Sequence, residues 1–204
     1  MTTLYYMADI PPQSLYELLE KERRERIEKT ARSEEGIAGA GLLLAYAAAK
    51  AEIRPPLNII RDPKPRLEGQ RSGIGGKFEF SLSHTKGLSL CATSLFPVGT
   101  DAELIRPVAP KLYKRLNIPF SNDNEGFFRY WTAFESVYKL FGGKYGLFDI
   151  ALKEREGGFT GPEGCTVKTI REGEHIISVA GALPITFTKI SATELESALR
   201  FWGN

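Results

Sequence analysis

Cysteine is scarce. Only Cys91 and Cys165 occur in 204 residues, too few for a disulfide framework, and neither has the CxxC partner or nearby histidine that a zinc site needs. This points to a reducing, cytoplasmic setting. An excess of one charge is also missing. With 27 Lys and Arg against 25 Asp and Glu, the formal charge is +2. The bulk field therefore favours neither nucleic acid nor a membrane surface as partner, and any basic site must be local. Long apolar runs are lacking too. The most apolar stretch, Ile37 to Ala49, falls well short of the roughly 20 residues that cross a bilayer. The opening MTTLYYMADIPP has no basic region followed by an apolar core, so no signal peptide is expected. What remains is ordinary globular composition, 42% hydrophobic and 25% charged, enough for one good core or two half-sized cores in contact.

The densest information lies in Phe127 to Phe141, FFRYWTAFESVYKLF. Phe127, Trp131, Phe134, Tyr138 and Phe141 recur at alternating steps of four and three, which predicts one buried helix face. Ser121, Asn122 and Asp123 are candidate N-caps, and Gly142-Gly143 mark the end. Glu135 and Lys139 lie one turn apart beside the stripe. On the helix alone this is the pattern of an ordinary solvated pair, and other segments must decide whether it does more.

Taken in order, Thr3 to Ala8 reads as a strand, and Ser14 to Lys29 as a helix with the one basic cluster, Lys21, Arg23, Arg24, Arg26 and Lys29. That cluster is either a solvated face or an anchor for phosphate. Gly36 to Lys50 reads as a buried helix rich in small residues. Pro55, Pro56, Pro63 and Pro65 exclude helix or central strand through about Arg66, leaving an extended segment that contains Lys64. Phe78 to Ser94 alternates as a hairpin turning near Thr85-Lys86-Gly87, and Val98 to Leu104 continues as a strand. Phe148 to Lys153, Cys165 to Ile170, His175 to Ala180 and Thr186 to Ile190 are strand-like, and Ser191 starts a terminal helix. The expected fold is α/β (α+β). Each half holds a long helix on a small, mainly antiparallel sheet, with residues 1–97 and 98–204 as the halves of one compact unit.

In GTDAELIRP, Asp101 and Glu103 are two apart on a predicted strand and point to the same face. They either share a Mg²⁺ ion, with Glu135 as a third carboxylate, or belong to the wet face of a half-exposed strand. Three rival motifs fail. GIGGKF at 73–78 lacks phosphate-loop spacing and the Ser or Thr after Lys. Ser83 and His84 are strand neighbours on opposite faces, so they form no nucleophile-base pair. His175 has no partners at metal spacing and reads as a structural or surface residue.

In the same order, FSLSHT, VGTDAELIRP and YWTAFESVYKLFGGKYGL resemble the three signature blocks of 4′-phosphopantetheinyl transferases of the surfactin-synthetase-activator type. The resemblance implies two pseudo-symmetric halves with the active site in the cleft between them. It also implies coenzyme A as substrate, Mg²⁺ as cofactor, and transfer of the phosphopantetheine arm to a serine of an apo acyl- or peptidyl-carrier protein of fatty-acid, polyketide or nonribosomal peptide synthesis. A monomer is expected, with no nucleic-acid or membrane partner.

Carried over by motif, Asp101, Glu103 and Glu135 match the Mg²⁺ carboxylates, with Glu135 also the proton acceptor. His84 and Lys139 match contacts to the coenzyme A phosphates; Lys64, and Lys21 with Arg24 in the charged helix, match more loosely. Two positions depart. Phe134 stands where the family has a lysine before the metal-binding Glu, and Glu34, Glu35 and Gly36 stand where it has an arginine for the 3′-phosphate. The helix period puts Phe134 in the core and the motif puts it at the cleft, so a cleft-margin position is expected, where Phe134→Lys would tighten coenzyme A binding at modest cost. A weakly active or non-catalytic member that binds coenzyme A or a carrier protein is the alternative, and a plain interaction domain the third reading.

Overall fold

A computed structural model describes residues 1–30, 34–61, 65–67, 78–115, 123–146 and 149–202. The first part of the chain runs β1 (Thr2–Met7), α1 (Lys21–Lys29), α2 (Glu34–Lys50), β2 (Ile59–Arg61), β3 (Pro65–Leu67), β4 (Glu79–Thr85) and β5 (Leu88–Ser94). It continues through β6 (Gly99–Leu104), α3 (Pro110–Arg115), α4 (Asn124–Leu140), β7 (Lys153–Arg155), β8 (Gly158–Thr160), β9 (Thr166–Glu172), β10 (His175–Gly181), β11 (Ile185–Lys189) and α5 (Ala192–Leu199). Among the described residues no helix is long and apolar enough to cross a membrane.

Two sheets lie face to face. The first has the order β11-β1-β5-β4 and the second β6-β10-β9-β8-β7; every pairing described within them is antiparallel except β1 with β11. Strand alternation sorts the side chains into layers. Leu4, Leu90 and Ala92 of the first sheet meet Ala102, Ile177 and Val179 of the second in one apolar layer. From the other face of the first sheet, Met7, Phe80 and Cys91 pack on Leu42, Leu43 and Tyr46 of α2. The outer face of the second sheet carries α4, where Ile176 meets Phe127 and Phe128 and Ala180 meets Ala133 and Val137. Four layers result, helix, sheet, sheet, helix.

Where α4 crosses the second sheet the contact is close. A Cβ at Gly99 would lie 1.9 Å from the Ser136 carbonyl oxygen and 2.6 Å from the Leu140 nitrogen, so only glycine lets strand and helix backbones approach this far. Small hydroxyl residues fill the rest: Thr132 Oγ1 and Ser178 Oγ are 2.8 Å apart, and Ser178 Oγ and Thr169 Oγ1 also 2.8 Å. These buried groups satisfy one another. The helix ends as expected, with Gly142 and Gly143 at positive φ and the Gly143 N–H donating to Tyr138 O.

Several expectations change. β11 joins the first sheet beside β1, and Leu195 and Leu199 of α5 pack in the α2 core, so residues beyond 184 serve the layer assigned to 1–97. The segment 14–29 is broken into a 3-10 turn at Gln13–Leu18 and α1. The Pro-rich stretch forms a two-stranded ribbon, β2 with β3. Within Phe148 to Lys153, residues 149–152 are not strand, and strand structure begins only at Lys153. On α4 the buried face is centred on Ala133, Ser136 and Val137, while Tyr138 is 40% exposed. The aromatic stripe thus wraps past the core instead of defining it.

Candidate active site

The edge strands β4 and β6 meet through side chains. The Thr100 N–H donates to Ser81 Oγ at 3.1 Å, and Ser83 Oγ donates to Asp101 Oδ1 at 2.8 Å. Hydroxyls at alternate β4 positions thus take the place of a backbone ladder. Across this junction α4 brings Lys139, whose Nζ donates to Asp101 Oδ1 at 2.7 Å, to Thr100 O at 3.0 Å and to Ser83 Oγ at 3.3 Å. Asp101 is 8% exposed, so this pair works where charge is poorly screened.

Glu103, on the same face of β6 as Asp101, accepts from Arg106 at 2.8 Å, and the Arg106 guanidinium lies 4.8 Å from the Phe128 ring centroid. Burial pushes the Glu135 carboxyl above its ordinary range; Asp101 adds to this, Lys139 opposes it, and Glu103 adds a little more. Three carboxylates therefore feel one another, and an all-oxygen set suits a hard cation such as Mg²⁺. Among the described residues, however, no three His, Cys, Asp or Glu side chains converge as a ligand set. In the observed arrangement Lys139 holds Asp101 and Arg106 holds Glu103.

Beside this junction is a cleft of about 350 Å³ lined by Arg23, Arg26, His84, Tyr138 and Lys139 over an apolar floor that includes Ile37. His84 comes from β4 and stands against α2, where a Cβ at Gly36 would fall 2.8 Å from its Nδ1. Burial lowers the pKa of the imidazole, and the Arg23, Arg26 and Lys139 cations lower it further against the pull of Asp101. Arg23 is nearly buried. It pairs with Glu20 at 3.1 Å and donates to the Ile37 carbonyl at 3.1 Å, and Gly41 makes room for its stem.

The structure brings together His84, Asp101, Glu103, Glu135 and Lys139. Lys21 and Arg24 are not part of this group: Lys21 is 84% exposed beside Glu25, Arg24 is exposed, and neither lines the cleft. Lys64 lies outside the described residues. Phe134 is not at the cleft margin; it is 5% exposed, stacked on Trp131 at 5.7 Å and packed with Ile150 and Phe159. His175 has the structural place expected, with Nε2 2.8 Å from the Lys86 carbonyl in the hairpin turn. Arg23 and Arg26 were visible only as members of a basic run. Arg23 lies four residues before Ile27, the buried apolar residue of α1, and that spacing is the signal for the inward face; Arg26, next to Ile27, carries no such mark.

Over 121 residues the chain is 31% identical to 4′-phosphopantetheinyl transferase HetI of Nostoc sp., a match covering 52% of this chain and 50% of that protein. The chain is a distant relative of that transferase. It spans about half the length of the curated relative it matches, and no family model matches it.

Proposed function

We propose that the chain is a Mg²⁺-dependent 4′-phosphopantetheinyl transferase of the surfactin-synthetase-activator type, acting on coenzyme A and an apo acyl- or peptidyl-carrier protein. One observation carries the reading: Lys139 both lines a cleft with Arg23, Arg26 and His84 and holds Asp101 beside Glu135. Phosphate-binding cations and a carboxylate group thus share one helix residue. The two long helices, each covering the outer face of one sheet, suit the pseudo-symmetric architecture of that family.

In the proposed reaction the serine hydroxyl of the carrier attacks the phosphorus that bears the pantetheine arm. The new P–O bond forms as the pyrophosphate P–O bond breaks, and 3′,5′-ADP leaves. Glu135 takes the serine proton, directly or through water. Arg23, Arg26 and His84 bind the phosphates, the two arginines replacing the charge missing at Glu34 and Glu35. Lys139 turns from Asp101 towards the pyrophosphate and matches the charge that develops as the bond breaks. Asp101, Glu103 and Glu135 would hold Mg²⁺, which when bound supplies further neutralisation of the pyrophosphate. The buried position of Phe134 favours a second reading, a member that binds coenzyme A or a carrier with little turnover.

Calorimetric titration with coenzyme A in Mg²⁺ buffer at low and high salt tests the binding half of this reading. The expected result is saturable binding that weakens as salt rises, because phosphate recognition rests on charge. No binding, or binding indifferent to salt, would overturn it.

A further inference from the structure

Nucleotide recognition needs two unlike surfaces, cations for phosphate and a flat apolar face for the base. Arg23, Arg26, His84 and Lys139 provide the first within the cleft. The second is found on α4. Tyr138 is 40% exposed although its neighbour Val137 is wholly buried, and of the exposed large hydrophobic side chains among the described residues it alone lines the cleft. Phe80 also borders the cleft but is 1% exposed, so its face is already covered. We infer that Tyr138 is the platform on which the adenine base of the donor stacks, making it the residue that selects purine-bearing donors over base-free phosphopantetheine.

Local structure keeps that ring available. The helix terminates one turn later at Gly142 and Gly143, which also line the cleft. Gly143 sits at φ 79°, a conformation that favours glycine, and a Cβ there would stand in ordinary contact with the Tyr138 hydroxyl oxygen, 3.4 Å away, so the helix end lies beside the ring's hydroxyl without clashing with it. Tyrosine has only two χ angles to order, so ring stacking costs little conformational entropy. Lys139 is the next residue on the same helix. The base platform and the phosphate contact therefore move together as one rigid unit.

This assignment rests on the coenzyme A reading above. Its test compares the affinities of wild type, Tyr138→Ala and Tyr138→Phe for coenzyme A, 3′,5′-ADP and 4′-phosphopantetheine, with a thermal melt of each protein. Tyr138→Ala should lose roughly 5- to 150-fold in affinity for the two adenine ligands, the range of base-aromatic stacking. Its affinity for 4′-phosphopantetheine and its melting temperature should stay close to wild type, and Tyr138→Phe should retain adenine binding. Equal losses for all three ligands, or none for the adenine pair, would overturn the platform while leaving wild-type coenzyme A binding, and the function, intact. Absence of wild-type binding would overturn both.

Discussion

Lys139 Nζ lies 2.7 Å from Asp101 Oδ1, so the residue assigned to phosphate neutralises the residue assigned to metal. The two side chains come from α4 and β6, and Ser83 touches both. A cation entering at Asp101 competes with this ammonium. Removing the ammonium leaves a buried carboxylate whose remaining hydrogen bond among the described residues is from Ser83, at a cost of about 1–3 kcal/mol. Lys139→Met is therefore expected to melt below wild type and to recover more of its melting temperature than wild type does when Mg²⁺ is added. Thermal melts across a Mg²⁺ series check this; identical Mg²⁺ responses in the two proteins would show that Lys139 and metal do not compete.

His84 links stability to pH. Its pKa is lowered in the folded protein by burial first and then by Arg23, Arg26 and Lys139, while in the unfolded chain it stays near 6.5. As pH falls, the unfolded chain takes the proton first. The stability that neutral His84 contributes is therefore present above about pH 6.5 and is lost as pH drops through the lower folded value. Between pH 7 and 5 the melting temperature of wild type should fall more steeply than that of His84→Gln. Parallel slopes would mean that the imidazole is not held neutral.

At Gly99 the neighbours are backbone atoms of α4, 1.9 Å and 2.6 Å from the position of an added Cβ. Neither can move without shifting the helix that carries Glu135 and Lys139. Gly99→Ala should cost about 3 kcal/mol or more, read as a lowered urea midpoint with an unchanged slope. A midpoint within error of wild type would show that α4 rides freely on the sheet.

Phe134→Lys distinguishes core from cleft. With the ring 5% exposed and stacked on Trp131, the lysine stem inherits no ligand and its ammonium no solvent. The expected outcome is a large fall in melting temperature, and Phe134→Ala should lose about 3–5 kcal/mol. Coenzyme A affinity measured by calorimetry on the folded fraction should not rise. A tightening of that affinity would return the residue to the cleft.

Local chemistry was readable from the sequence where the signal is local. The β4-β5 hairpin follows from alternation around Lys86-Gly87. The end of α4 follows from its paired glycines, and the start of α5 from Ser191, whose Oγ accepts from the Glu194 N–H. Partnership was not readable. Nothing in ITFTK says that β11 lies parallel to β1, because a short strand carries no mark of its neighbour. The same limit explains the basic run: which of Lys21, Arg23, Arg24 and Arg26 faces inward depends on where Ile27 packs. On α4 the aromatic period identified a helix but misjudged its inward face, since small residues such as Gly99 and Ser136 allow the closest backbone approach. The pairing of Lys139 with Asp101 joins segments read separately for different ligands.

Transfer of the phosphopantetheine arm is the step on which the proposed function stands. Incubation of the protein with Mg²⁺, coenzyme A and a panel of apo carrier proteins, followed by intact-mass spectrometry of the carriers, measures it directly. At least one carrier should gain the phosphopantetheine mass on its serine, chelation of Mg²⁺ should prevent the gain, and Glu135→Gln, folded by circular dichroism, should abolish it. A protein that binds coenzyme A yet modifies no carrier in the panel, or a Glu135→Gln variant that turns over like wild type, would contradict the proposed function.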